Sequence, residues 1–186
     1  MKWDVNIKEI SVNMEVNLKI NVNILDKILD KISSIVKYFL GFLLAVMLIS
    51  ALFTVFTRYF LGKSFAWSEE LIRYLIIWIS FLGAAVGYKE EGLVFFDMIV
   101  NAVNGKKRRN LLLLNNTITL VFMGFIFINS IQTIMMPSVA KQISIGLQIS
   151  MVIPFLAVPL GLGLMIIFGI NHYRVILNKY KEGVYN

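Results

Sequence analysis

Residues 38–57, YFLGFLLAVMLISALFTVFT, run the length of a bilayer core without a single charge. A hydrocarbon layer about 30 Å thick needs about 20 apolar residues in a helix to cross it, and this segment meets that requirement unaided. Two more runs, 110–140 and 142–173, are also free of Asp, Glu, Lys and Arg. Residues 74–88 are shorter, lying between Arg73 and Lys89, and span only if Leu71 and Ile72 are included and the flanking side chains snorkel. The expectation is an all-α integral membrane fold with spans at about 38–57, 69–88, 112–135 and 147–170. Composition agrees, since 58% of residues are hydrophobic and 16% charged, far from a soluble domain.

The formal charge is +7, and its placement matters more than its size. If both termini are cytoplasmic, only Arg58, Lys63, Arg73 and Lys141 of the 18 basic residues fall on the opposite side. The positive-inside rule therefore favours cytoplasmic termini, with residues 64–74 (SFAWSEELIRY) on the outer face. The basic run 106–109 (KKRR) acts as a topology signal drawn to anionic lipid headgroups. Nucleic acid is not an expected partner, because no soluble domain or interleaved aromatic surface accompanies that run.

Ahead of the first span, residues 7–24 alternate apolar and polar with a period of two, a strand-like pattern that has no evident partner strand. Residues 1–23 are taken as an N-terminal extension, with two readings open: a mobile or surface-adsorbed tail, or a stretch preceding a true start at Met14. Residues 24–37 switch to helical spacing, with Ile24, Ile28, Ile32, Ile35 and Val36 opposite Asp26, Lys27, Asp30 and Lys31. This predicts an amphipathic helix at the membrane surface, or else the solvated start of a long first helix. The four-span domain covers 24–175, with a second amphipathic stretch between spans two and three, and residues 176–186 form a cytoplasmic tail. No cleavable signal peptide is expected, because the first apolar run is too long and lacks a small-x-small site after it.

Chemistry is sparse. The chain has no cysteine and one histidine, which excludes disulfides and Cys/His metal sites. His172, beside Tyr173 and Arg174, is expected at the interface rather than as a ligand or base. No Ser/His/Asp set or phosphate-cradling loop can be assembled, so neither an enzymatic activity nor a cofactor is expected. No ionisable residue falls near the middle of a span, which argues against an autonomous ion-coupled carrier. Span three is rich in Asn, Gln, Ser and Thr and is expected to face protein, while Pro154 and Pro159 predict a kinked or irregular fourth span.

The densest charge cluster is at the entry to span two. Glu69 and Glu70 are consecutive, so a helix points them about 100° apart and they cannot face one water as a catalytic pair. Ser68 is expected to cap the helix, with both carboxylates in its first turn and Glu69 spaced i, i+4 from Arg73. Trp67 and Tyr74 would sit at the membrane boundary. Helix initiation and anchoring account for the cluster physically, and contact with a partner is the alternative.

Residues 58–97, RYFLGKSFAWSEELIRYLIIWISFLGAAVGYKEEGLVFFD, resemble the small membrane subunit of tripartite ATP-independent periplasmic (TRAP) transporters, the DctQ-like family. Arg58 and Tyr59, Trp67, Glu69 and Glu70, the small-residue stretch from Gly83 to Gly87, and Asp97 match in order and spacing. Leu93 and Val94 stand where family members commonly carry a His, so no role of that imidazole is transferred. The resemblance implies a non-catalytic inner-membrane subunit packed on a large membrane subunit. That large subunit would carry an organic acid with sodium after a periplasmic solute-binding protein captures it. Gly83 and Gly87 form a GxxxG step suited to close helix approach. A self-sufficient four-helix exporter is the alternative function, although it would need an intramembrane carboxylate that the sequence lacks.

Overall fold

A computed structural model describes the backbone of residues 2–63, 65–90 and 106–181, and side-chain packing over 24–63, 65–90 and 107–177. The helices are α1 (Lys2–Phe60), α2 (Ala66–Lys89), α3 (Lys106–Met135), the single turn α4 (Pro137–Ala140) and α5 (Val152–Lys181). Among the described residues, α1, α2, α3 and α5 each contain a segment long and apolar enough to cross a membrane. An isolated antiparallel bridge, Ile143 with Ser150, is the β pairing they contain. Backbone groups in hydrocarbon have no water to bond, and a helix satisfies them within the segment. The chain is an all-α membrane protein.

Two compact units are distinguished, Met1–Val36 and Lys37–Asn186. In the first, residues 7–24 are helical rather than extended. A lone strand leaves both edges unpaired, whereas a helix closes its own hydrogen bonds, and that requirement overrides the alternating pattern. Farther along the same unit, Ile24, Ile28 and Ile35 stand exposed. The amphipathic stretch expected after Lys89 falls on residues outside those described, and Leu93, Val94 and Asp97 lie there too.

In the second unit α5 is the central helix, packing against both α2 and α3. Lipid tails are as apolar as leucine, so helices in a bilayer associate through close packing and hydrogen bonds more than through water exclusion. Glycines on α5 supply the closeness. A Cβ at Gly161 would lie 2.7 Å from Phe81 Cβ and 2.8 Å from Phe81 O, so α2 and α5 meet backbone to backbone there. At Gly169 the added carbon would lie 2.7 Å from Leu120 Cδ2 and 3.2 Å from the Tyr88 hydroxyl. Around these points Leu75, Leu82, Ala85 and Val86 of α2 bury with Ala157, Leu162, Met165 and Phe168 of α5.

Pro154 and Pro159 do not interrupt α5. Pro154 lies in the first turn, where a missing N–H costs nothing because that donor has no intrahelical partner. Pro159 removes one interior bond, and the helix continues through it. The fourth helix begins at Val152, not near 147 as the apolar run suggests. Residues 141–151 instead form a tight reversal, closed by Ser144 N–H to Ile149 O at 2.9 Å and Met151 N–H to Gln142 O at 3.0 Å.

α1 flanks α2 in antiparallel sense, with contacts at both ends. Lys37 pairs with the Glu90 carboxylate, and Thr54 Oγ1 lies 3.0 Å from Ser68 Oγ. Along this part of α1 Leu43, Ser50 and, just past Thr54, Thr57 are buried, while Phe42, Leu48, Ile49, Leu52 and Phe56 remain exposed.

Candidate functional site

The sequence cluster is assembled where α1 stops, α2 starts and the 141–151 loop turns back. α1 ends in a glycine cap: Gly62 has φ +60, and the Lys63 N–H returns to Thr57 O at 3.4 Å. Only a residue without Cβ enters that region freely. The expected Ser68 cap is not formed. Phe65 occupies the N-cap position without a side-chain hydrogen bond, and Ser68, fully buried, donates to Phe65 O at 2.9 Å while meeting Thr54. The hydroxyl thus fastens α1 to α2, a role that needs a tertiary neighbour and is invisible in local sequence.

Trp67 packs its ring against Phe53 at 5.4 Å and Phe65 at 6.5 Å, with part of the indole exposed. Its apolar body joins the two helices while its edge stays accessible, as expected of an aromatic residue at a membrane boundary. Arg58 and Tyr59 are exposed and line a shallow open groove with Thr54 and Val55.

The two glutamates have different surroundings. Glu69, in the first turn of α2, is half-buried. Glu70 Oε2 accepts the Gly146 N–H at 2.7 Å and the Leu147 N–H at 3.0 Å, and its Oε1 accepts the Tyr74 hydroxyl. Met151 Sδ lies 3.3 Å from that hydroxyl. Three donors from the chain take up most of the acceptor capacity of Glu70, which suits a structural contact better than an open base or ligand. Among the described residues no group of three or more His, Cys, Asp and Glu is placed to hold a metal ion.

Arg73 is exposed and begins an open stripe of α2. Ile76, Ser80, Gly83 and Gly87 follow it at alternating steps of three and four, which places them on one helix face. An added Cβ at Gly83 or Gly87 meets nothing within 4 Å. Among the described residues the GxxxG step therefore makes no close helix contact, and Gly161 and Gly169 make such contacts.

A second polar centre lies at the other end of α2. Tyr88 donates to Asn116 Oδ1 at 2.6 Å, and Asn116 Nδ2 donates to Gly169 O at 3.0 Å, so one buried amide joins α2, α3 and α5. Thr117 and Tyr173 meet at 2.6 Å beside it, the Tyr88 and His172 rings are 6.4 Å apart, and Lys89 Nζ sits 5.7 Å from the Phe168 ring centre. Of the polar residues in α3, Thr117, Thr119, Asn129, Ser130 and Thr133 also bond carbonyls one turn back on their own helix. Their polarity does not by itself require a protein neighbour, and the polar contacts that do reach another helix are those of Asn116 and of Thr117 with Tyr173. Sequence reasoning missed both the Glu70 loop contact and the Asn116 junction, and an Asn in an apolar helix beside a Tyr elsewhere was the available hint for the second.

The model of the family described as "Tripartite ATP-independent periplasmic transporters, DctQ component" matches residues 47–178. The C4-dicarboxylate TRAP transporter small permease protein DctQ of Rhodobacter capsulatus is 30% identical over 104 residues, covering 56% of this chain and 46% of that protein. The isethionate TRAP transporter permease protein DctMQ of Oleidesulfovibrio alaskensis is 28% identical over 99 residues, covering 53% of this chain and 16% of that protein. The aligned part thus spans less than half the length of either relative. With the family match running from the last quarter of α1 to near the end of α5, the chain belongs to the DctQ component of the tripartite ATP-independent periplasmic transporters.

Proposed function

We propose that this chain is the small, fixed membrane subunit of such a transporter, standing beside a large subunit. The pair would take up an organic acid with sodium after a periplasmic solute-binding protein delivers it. The observation that carries this reading is the relative named DctMQ, in which the matched segment is 16% of a much longer permease chain. Most of that polypeptide lies outside the part shared with this protein, as expected if a small and a large component are fused there. The absence of ionisable residues from mid-span, together with the unbroken course of α2, α3 and α5, agrees with a supporting role, because ion-coupled carriers generally hold such a group or a broken helix there.

The surface for the large subunit is proposed to be the Arg73, Ile76, Ser80, Gly83 and Gly87 stripe, open within the chain and shaped for a closely approaching helix. Both termini and the basic start of α3 are proposed to be cytoplasmic in the inner membrane, with Trp67, Glu70 and the 141–151 loop on the periplasmic side. Tagged protein extracted from its native membrane in mild detergent should bring down a large multi-span protein. Transport of substrate by this chain alone in liposomes would instead support an autonomous exporter.

A further inference from the structure

Glu70 connects segments of chain 76 and 77 positions apart. Successive backbone N–H groups of a turn make a concave anion site, and here the anion is the protein's own carboxylate. The loop is shaped to it. Ser144 is buried and its Oγ accepts the Leu147 N–H at 3.2 Å. Gln148 adopts φ +52, outside the usual range for a side-chain-bearing residue, to complete the turn. A Cβ at Gly146 would lie 2.6 Å from Glu70 Oε2 and 2.8 Å from Ala66 O, so the loop backbone rests directly on the first turn of α2. On its outer side Ile143 is 64% and Ile145 93% exposed.

We propose that Glu70 is a positioning residue: its carboxylate fastens the 142–151 loop to the head of α2, holds the start of α5 in place, and presents Ile143 and Ile145 in one fixed arrangement. Glu69 cannot do this from its position about 100° around the helix. The pair that sequence leaves equivalent is thereby distinguished by the Gly146 and Leu147 amides that Glu70 accepts. The consequence for uptake rests on the proposed subunit role, whereas the loop contact does not.

Hydrogen exchange of the Gly146 and Leu147 amides in the purified full-length chain reads the contact directly. Glu70→Ala should speed both by about tenfold or more, the scale implied by losing a charged acceptor. Glu70→Gln should give a smaller rise, because an amide oxygen can still receive both N–H groups, and Glu69→Ala should give none. Rates in Glu70→Ala within about twofold of the parent, or an equal rise in Glu69→Ala, would overturn the proposal. Should Glu70→Ala not fold, Tyr74→Phe and Gly146→Ala provide the reading. The first removes one partner of Glu70 and the second wedges the loop off it, so unchanged exchange in both would also overturn the anchor. Uptake by cells producing the whole transporter should fall with Glu70→Ala and persist with Glu69→Ala at equal membrane levels. Faster exchange with undiminished uptake would retain the anchor and overturn its part in transport.

Discussion

At the scale of single residues, glycines that look alike in sequence divide by what stands opposite them. Gly161 faces Phe81 with no room for a methyl group, whereas Gly83 and Gly87 face open space. Gly161→Ala should therefore destabilise the isolated chain by about 1–3 kcal/mol, the usual range for overpacking a close contact, visible as a lower thermal midpoint in detergent. Gly83→Ala should leave that midpoint nearly unchanged. Asn116 separates from its neighbours in the same way. Its amide joins Tyr88 to the Gly169 carbonyl, and interhelical hydrogen bonds in membranes contribute about 0.6 kcal/mol on average and up to about 1.7. Asn116→Leu should therefore lower stability by about 1–3 kcal/mol through loss of two such bonds and the strain of a branched side chain at the junction. A midpoint equal to that of the parent would remove the three-helix role.

At the scale of elements, α3 displays more polarity than its packing uses. Asn129 and Thr133 bond Phe125 O and Asn129 O, one turn back on the same helix. Asn129→Leu and Thr133→Val should thus each change the stability of the isolated chain by no more than about 0.5 kcal/mol, as for surface positions away from a network. A loss comparable to that of Asn116→Leu would mean that these side chains have interhelical roles. That four helices would be long and apolar enough to cross a membrane was readable from sequence, because a bilayer imposes length and charge limits that a short segment meets or fails by itself. Where the turn at 141–151 ends was not: spans at 112–135 and 147–170 leave a connection between them, but Leu147, Ile149 and Met151 continue the apolar run and nothing local moves the helix start to Val152. The strand-like alternation of 7–24 misled for the complementary reason, as period two indicates a strand only where a partner strand exists. Glu69 and Glu70 were recognisable as a cluster, but their division depends on a loop more than 70 positions away, beyond any local pattern.

At the scale of the whole molecule, α2 and α5 of the Lys37–Asn186 unit are tied at both ends, by Glu70 through the 141–151 loop and by Asn116, which also joins α3 to them. Such a doubly fastened group suits the proposed fixed role, since motion would have to break the part-buried Glu70 contacts at one end or the buried Asn116 contact at the other. The open stripe along α2 lies on this rigid group rather than on a segment free to adjust. Filling it should harm assembly without harming the chain. Gly83→Leu combined with Gly87→Leu places two branched side chains where nothing within 4 Å opposes a Cβ. The purified variant should retain the parent's helical content and thermal midpoint, while recovery of the proposed large subunit falls by about tenfold or more, as when a few well-packed contacts carry most of an interface. Undiminished recovery with the chain intact would move the partner surface off α2 and toward the exposed apolar side of α1, where Phe42, Ile49, Leu52 and Phe56 stand uncovered. Loss of helical content would instead mean that α2 needs its bare face for its own fold, which the open space at both glycines argues against.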